Sequence, residues 1–111
     1  VTRLASRFLV DLLLRRTEAA GGFAAILAAG DERAGVILVQ CSERGAPGPL
    51  LERRFAANGG YVWEAVGPGD GDESALSAYR DRRKRADPDL WIVELDIADA
   101  PRLVAEWGEL S

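Results

Sequence analysis

Leu90-Trp91-Ile92-Val93 sets four apolar residues in a row, and Glu94 and Leu95 follow. A strand with one face in water alternates between apolar and polar side chains, whereas an unbroken apolar run is covered on both faces. Residues 90–95 are therefore read as a central strand, which obliges the rest of the chain to supply cover on two sides. A chain of 111 residues can do this with one sheet and a few helices, so a single domain over 1–111 is expected.

The remaining elements follow from period and punctuation. Residues 3–20 read as an amphipathic helix. Leu4, Phe8 and Leu12 repeat every fourth position beside Ala5, Leu9 and Leu13, with Arg3, Arg7, Asp11, Arg15 and Glu18 opposite. Asp11 and Arg15 have the favourable acid-before-base spacing, Val10 and Leu14 flank the polar stripe, and Gly21-Gly22 stops the helix. Four strands are expected next, at 23–29, 36–41, 50–55 and 61–66, the last pair joined at Asn58-Gly59-Gly60. Leu51, Arg53 and Phe55 fall on one face of the third, and Leu50, Glu52 and Arg54 on the other. A glycine-rich turn at 67–71 leads to a second helix over 72–85, acidic at its start and basic at its end. Pro101 opens a short last helix with Leu103, Trp107 and Leu110 on one side. The expected fold is α+β: an N-terminal helix, a four-strand antiparallel meander, a second helix, the fifth central strand and a short C-terminal helix. Trp63, Trp91, Trp107, Phe8 and Phe55 are the expected large core residues.

Composition narrows function mostly by exclusion. There is no histidine, which removes Ser-His and Cys-His nucleophile pairs and most zinc or copper sites. The single cysteine, Cys41, shares a strand face with Ile37 and Val39 and is read as a buried, inert thiol. A net charge of −4 argues against a dedicated binder of double-stranded DNA. No apolar run reaches the roughly 18 residues of a membrane-spanning helix. The N-terminal stretch lacks the pattern of a secretory signal, so a cytoplasmic location is expected. Thirteen arginines, one lysine and eighteen alanines fit a GC-rich bacterial genome.

Two clusters could carry chemistry. Tyr79, Arg82 and Arg83 share one side of the second helix, and an aromatic ring beside two guanidinium groups can hold a phosphate, a single-stranded nucleic acid or another anionic ligand. The plainer reading is a helix end whose cations pair with Asp87, Asp89 or Glu94. Asp89, Glu94 and Asp96 are the candidate ligands of a divalent metal, although strand-end acids also serve as ion-pair partners. Gly67, Gly69 and Gly71 precede a helix but sit beside Asp70 and Asp72 without a lysine, so that loop reads as a turn.

The run Tyr79-Arg80-Asp81-Arg82-Arg83, followed by Asp87-Pro88-Asp89-Leu90-Trp91-Ile92-Val93-Glu94, resembles a family of small alphaproteobacterial proteins catalogued as a domain of unknown function. Arg3-Leu4, Arg15-Arg16, Gly30-Asp31 and Ala34-Gly35 belong to the same resemblance. It implies a cytoplasmic single-domain protein and brings no activity or ligand with it. The expected function is a non-enzymatic interaction module that self-associates as a homodimer or binds another protein, with no cofactor. The alternatives are nucleic-acid or anionic-ligand binding at Tyr79, Arg82 and Arg83, and a metal-dependent hydrolase at Asp89, Glu94 and Asp96.

Overall fold

The computed structural model describes residues 5–69 and 71–108. Its elements are α1 (Ser6–Ala19), β1 (Phe23–Ala28), β2 (Ile37–Glu43), β3 (Ala46–Phe55), β4 (Tyr61–Val66), α2 (Glu73–Ala86), β5 (Trp91–Asp96) and α3 (Ala100–Gly108). Element order and the α+β class agree with the sequence reading. The strands form one sheet in the order β1-β5-β2-β3-β4, so β5 has a neighbour on each side, as its apolar run demands. Arg3, Leu4, Asp70 and Leu110 lie outside the described residues.

The expected four-strand meander is corrected in one respect. β2, β3 and β4 pair antiparallel in succession, but β1 does not pair with β2. β5 enters between them, antiparallel to β1 and parallel to β2, and the sheet is mixed. Burial explains the exchange. β5 carries Trp91, Ile92, Val93 and Leu95, whereas half of the β1 sequence FAAILA is alanine. Placing the bulkier strand inside removes more apolar surface from water.

Alternation along the strands produces two cores. Ile37, Val39 and Cys41 of β2, Leu51 of β3 and Trp91, Val93 and Leu95 of β5 meet Leu9, Val10 and Leu13 of α1 and Ala100 and Val104 of α3. On the other face Leu38, Leu50 and Ile92 pack with Leu90 and Leu76 of α2. The first core is the larger, and α2 buries only Leu76 completely.

Both terminal helices are rotated from the expected faces. The buried stripe of α1 is Ser6, Leu9, Val10, Leu13 and Thr17, so Val10 is core and Phe8 is 51% exposed. The stripe tolerates two hydroxyls because both are satisfied: Ser6 Oγ donates to the Gly35 carbonyl at 2.7 Å and Thr17 Oγ1 to the Leu13 carbonyl at 2.8 Å. Asp11 pairs with Arg7, at 3.3 Å, rather than with Arg15 as expected. In α3 the buried residues are Ala100, Val104 and Gly108, and Trp107 packs against the core from the flank, as Trp63 does. Phe55, at 56%, is also exposed rather than core.

Cys41 is buried as expected, and that burial pushes its thiol up from 9.0 to about 12. The raised native value means its stabilising contribution is complete below 9.0 and is lost as pH rises toward about 12. A thiol reagent near neutral pH should therefore leave Cys41 untouched in native protein and label it at a rate that follows urea unfolding. Labelling of native protein as fast as a free cysteine would contradict the packing described.

Candidate functional site

The cations of α2 are largely engaged within the fold. The helix starts at Asp72, whose side chain accepts from the Ala75 amide, and carries Arg83, Lys84 and Arg85 in its last turn. Arg83 Nη1 lies 2.6 Å from Glu52 Oε1 on β3 and 2.9 Å from the Tyr79 hydroxyl. Burial alone would lower the Arg83 pKa; the hydrogen bonds and the Glu52 charge outweigh it and leave the guanidinium above its ordinary value. Arg80 donates to Gln40 Oε1 and Glu73 Oε1, both at 2.7 Å. Arg82 remains exposed, its guanidinium carbon 5.7 Å from the Tyr79 ring centre. Tyr79, Arg82 and Arg83 are thus adjacent, as expected, but the partner of Arg83 is Glu52 rather than an acid of the 87–94 segment.

The three candidate metal ligands are not brought together. Asp89 precedes β5 and Asp96 ends it, a separation on the order of 20 Å along an extended chain. Glu94 Oε2 accepts from Ser42 Oγ at 2.9 Å. The Asp96 carboxylate accepts the Arg44 and Gly45 amides at 2.7 and 2.8 Å, holding the β2–β3 turn where Arg44 has φ of 53°. Among the described residues no group of three or more acids or thiols is placed to hold a metal ion.

The Asp-Pro-Asp-Leu-Trp run meets two other segments of the resemblance, Gly30-Asp31 and Ala34-Gly35, at one end of the sheet. The link at 29–36 crosses over residues 87–91, and a methyl on Gly30 or Gly35 would overlap the Asp89 carbonyl oxygen. That oxygen accepts from the Asp31 amide at 2.9 Å. Trp91 Nε1 donates to the Asp31 carbonyl at 2.7 Å, and the Asp31 carboxylate accepts the Arg33 and Ala34 amides. The first amides of α1, from Ser6 and Arg7, donate to the Arg33 and Glu32 carbonyls. Lys84 Nζ donates to the carbonyls of Ala29, Pro88 and Leu90 at 2.8, 2.6 and 2.8 Å. The one lysine of the chain thus sits where three carbonyls converge, a geometry that suits a compact ammonium better than a planar guanidinium.

Next to this junction lies a cleft of about 560 Å³ lined in part by Arg33, Val36, Arg53, Phe55 and Tyr61. The Arg53 guanidinium carbon is 3.6 Å from the Tyr61 ring centre. The Phe55 and Tyr61 rings meet edge-on, 5.4 Å apart at 83°. Sequence reasoning missed this grouping. Its one available signal was hairpin register, since Phe55 pairs with Tyr61 and Arg53 with Trp63 across the Asn58-Gly59-Gly60 turn.

Substitutions separate these arrangements. Gly35→Ala and Lys84→Arg should each lower unfolding free energy by about 1–3 kcal/mol, the first by overpacking and the second by disturbing the hydrogen bonds to three carbonyls. Urea denaturation of either variant with an unchanged midpoint would contradict the junction. Arg83→Ala, which leaves buried Glu52 short of a partner, should also cost about 1–3 kcal/mol. Arg82→Ala should stay within about 0.5 kcal/mol. Equal costs for the two would show that Arg83 is not structurally engaged.

Comparison with known proteins identifies a family for the chain. A family model described as a protein of unknown function, DUF1491, matches residues 4–105. The crystal structure of a DUF1491 family protein from Caulobacter crescentus is 33% identical, with a TM-score of 0.79 over 87% of this chain and 91% of that one. An NMR structure of a DUF1491 family protein from the same organism is 34% identical, with a TM-score of 0.77 over 89% and 90% of the two chains. The solution structure of a protein from A. tumefaciens is 32% identical, with a TM-score of 0.74 over 88% and 89%. No curated protein matches the chain. Matched over nearly its whole length by the family model and by these structures, the chain belongs to the DUF1491 family, whose members are proteins of unknown function.

Proposed function

We propose that this protein is a non-enzymatic module of the cytoplasm that self-associates by pairing β1 with β1 of a second copy. The observation that carries the reading is the state of that edge. Among the described residues β1 bonds only to β5, and its sequence FAAILA contains no charge and no proline. Natural edge strands are guarded by charges, prolines or cover, and the opposite edge, β4, carries Glu64 paired with Arg54.

Both sheet faces of β1 offer apolar surface. Phe23 lies opposite Asp96 and Ile26 opposite Val93, so they point to opposite faces. Phe23 is 80% exposed and Ile26 39%. An antiparallel β1–β1 pair would bury both and would bring no like charges together, which suits a second copy of the same strand. The register shift after Ile26 confines regular pairing to the first part of the strand. The lone buried thiol suits a reducing compartment, and no described helix is long and apolar enough to cross a membrane.

Anionic-ligand binding at Tyr79, Arg82 and Arg83 has less support, since Arg83 and Tyr79 already contact each other and Glu52 binds Arg83. The metal-hydrolase reading at Asp89, Glu94 and Asp96 has less again, given their spread along β5.

Light scattering and sedimentation across micromolar to millimolar concentrations should give twice the chain mass of 12.0 kDa. Phe23→Lys and Ile26→Lys, at exposed positions, should shift the equilibrium to monomer by at least tenfold in dissociation constant. A monomer throughout, or a dimer indifferent to both substitutions, would overturn the proposal.

A further inference from the structure

An edge strand alone makes a narrow contact. The register shift after Ile26 confines regular pairing of β1 to residues 23–26, about 13 Å of strand, and Ala24 and Ala25 are two of those four residues. Stable dimers bury roughly 800 Å² on each partner, so a β1–β1 pair needs a second layer of contact. α1 is placed to supply it. Ile26 lies opposite Val93, which belongs to the core under α1, so the α1 face of the sheet continues to the β1 edge. The helix packs against β1 and β5 on that face, and α3 lies on its other side, over β2 and β4. Ala5, at the start of α1, lines the cleft toward the β3–β4 hairpin. At about 100° per residue, Leu14 is half a turn round the helix from Ala5, on the flank that faces the β1 edge. It packs against the core while staying partly exposed.

We infer that α1 packs against α1 of the second copy across the β1–β1 seam, with Leu14 of each helix at its centre; this rests on the self-association proposed above. Two copies joined antiparallel in one continuous sheet are related by a two-fold axis perpendicular to it, which keeps both α1 helices on the same face. Neighbouring strands lie about 4.8 Å apart. A helix seated over β1 and β5 is then about 5 Å from the axis, and the two helices are about 10 Å apart, a distance at which helices pack. The level along the strands agrees. Cross-strand partners point to the same face, so the axis passes through a residue, Ala24 or Ala25, level with Leu95 or Glu94. α1 runs alongside β5, from Ser6, bonded to the Gly35 carbonyl beside Trp91, to Thr17, which approaches Asp96 around Gly22. Leu14 is about 12 Å along the helix from Ser6, and Glu94 and Leu95 are about 10 and 13 Å along the strand from Trp91. Leu14 therefore comes level with the axis. Asp11, Leu14, Arg15 and Glu18 border a shallow depression of about 250 Å³. Their i, i+3, i+4, i+7 spacing is that of the hole which receives one side chain of a facing helix, and the symmetry delivers Leu14 of the second copy to it. Arg7 and Arg15 balance Asp11 and Glu18 on this flank, so two copies meet without an excess of like charge.

The test is crosslinking of the full chain carrying Leu14→Cys with a short bis-maleimide, alongside light scattering of the same samples. Cys41 is buried, so the introduced thiol is the one that reacts. Leu14→Cys should give at least tenfold more covalent dimer than Arg16→Cys, an exposed position on the opposite flank of α1. Adding Phe23→Lys to Leu14→Cys should cut the crosslink at least tenfold. A dimer that Phe23→Lys dissociates, but in which Leu14→Cys crosslinks no better than Arg16→Cys, would overturn the helix seam and leave the strand pairing standing. A monomer at every concentration, or a dimer indifferent to Phe23→Lys, would overturn both.

Discussion

The carbonyl oxygen of Asp89 and the two glycines that approach it, Gly30 and Gly35, set the distance at which the 29–36 link can cross the start of β5. A side chain at either position would push the link away. That approach lets the chain leave β1, pass over the 87–91 segment and enter β2 on the far side of β5. Parallel pairing of β2 with β5, and the edge position of β1, both follow from it. The same crossing brings the Arg33 and Glu32 carbonyls to the first amides of α1, so a helix without a side-chain cap still starts with satisfied donors. Lys84 then ties α2 to both partners of the crossing.

Polar side chains do on the α2 face what apolar ones do on the other. The core beneath α2 is small, centred on Leu38, Leu50, Leu76, Leu90 and Ile92. Beyond it the sheet presents Gln40, Ser42, Glu52 and Glu94. Arg80 and Arg83 reach down to Gln40 and Glu52, and Arg54 bridges Glu52 and its cross-strand neighbour Glu64. Ion pairs in full solvent contribute little. Those to Glu52 matter more, because its carboxylate is buried and losing Arg83 leaves it only the longer contact with Arg54. The basic run of α2 therefore reflects attachment of the helix to the sheet more than recognition of an outside anion.

Strands and helices were legible in the sequence because period and turn chemistry report them locally. The interior position of β5 was legible for the same reason: four successive apolar residues have only one low-energy environment. Pairing was not. Nothing local distinguishes a β1 that turns back onto β2 from one separated from it by a strand sixty residues later. Helix faces were misjudged where small polar residues lie in the buried stripe, as Ser6 and Thr17 do, because hydropathy cannot register a hydroxyl satisfied by a backbone carbonyl. The cleft was hidden for a third reason. Arg53, Phe55 and Tyr61 become neighbours only through register across a hairpin, and Arg33 joins them from a link whose course depends on Asp89.

Position in the sheet keeps the β1 edge and the cleft at the β3–β4 hairpin apart. β1 lies at one edge, and Arg53, Phe55 and Tyr61 belong to β3 and β4 at the other, with β5 and β2 between them. A second copy added at β1 extends the sheet away from the cleft and leaves its mouth open. The glycine-dependent link is the segment common to both, since one end follows β1 and the other forms the cleft wall at Arg33 to Val36. The junction fixes where the β1 edge stops and where the cleft wall begins. Gly30, Asp31, Gly35, Asp89 and Trp91 thus act by positioning: they shape the backbone that leaves β1 at one edge of the sheet and forms a wall of the cleft on the other side.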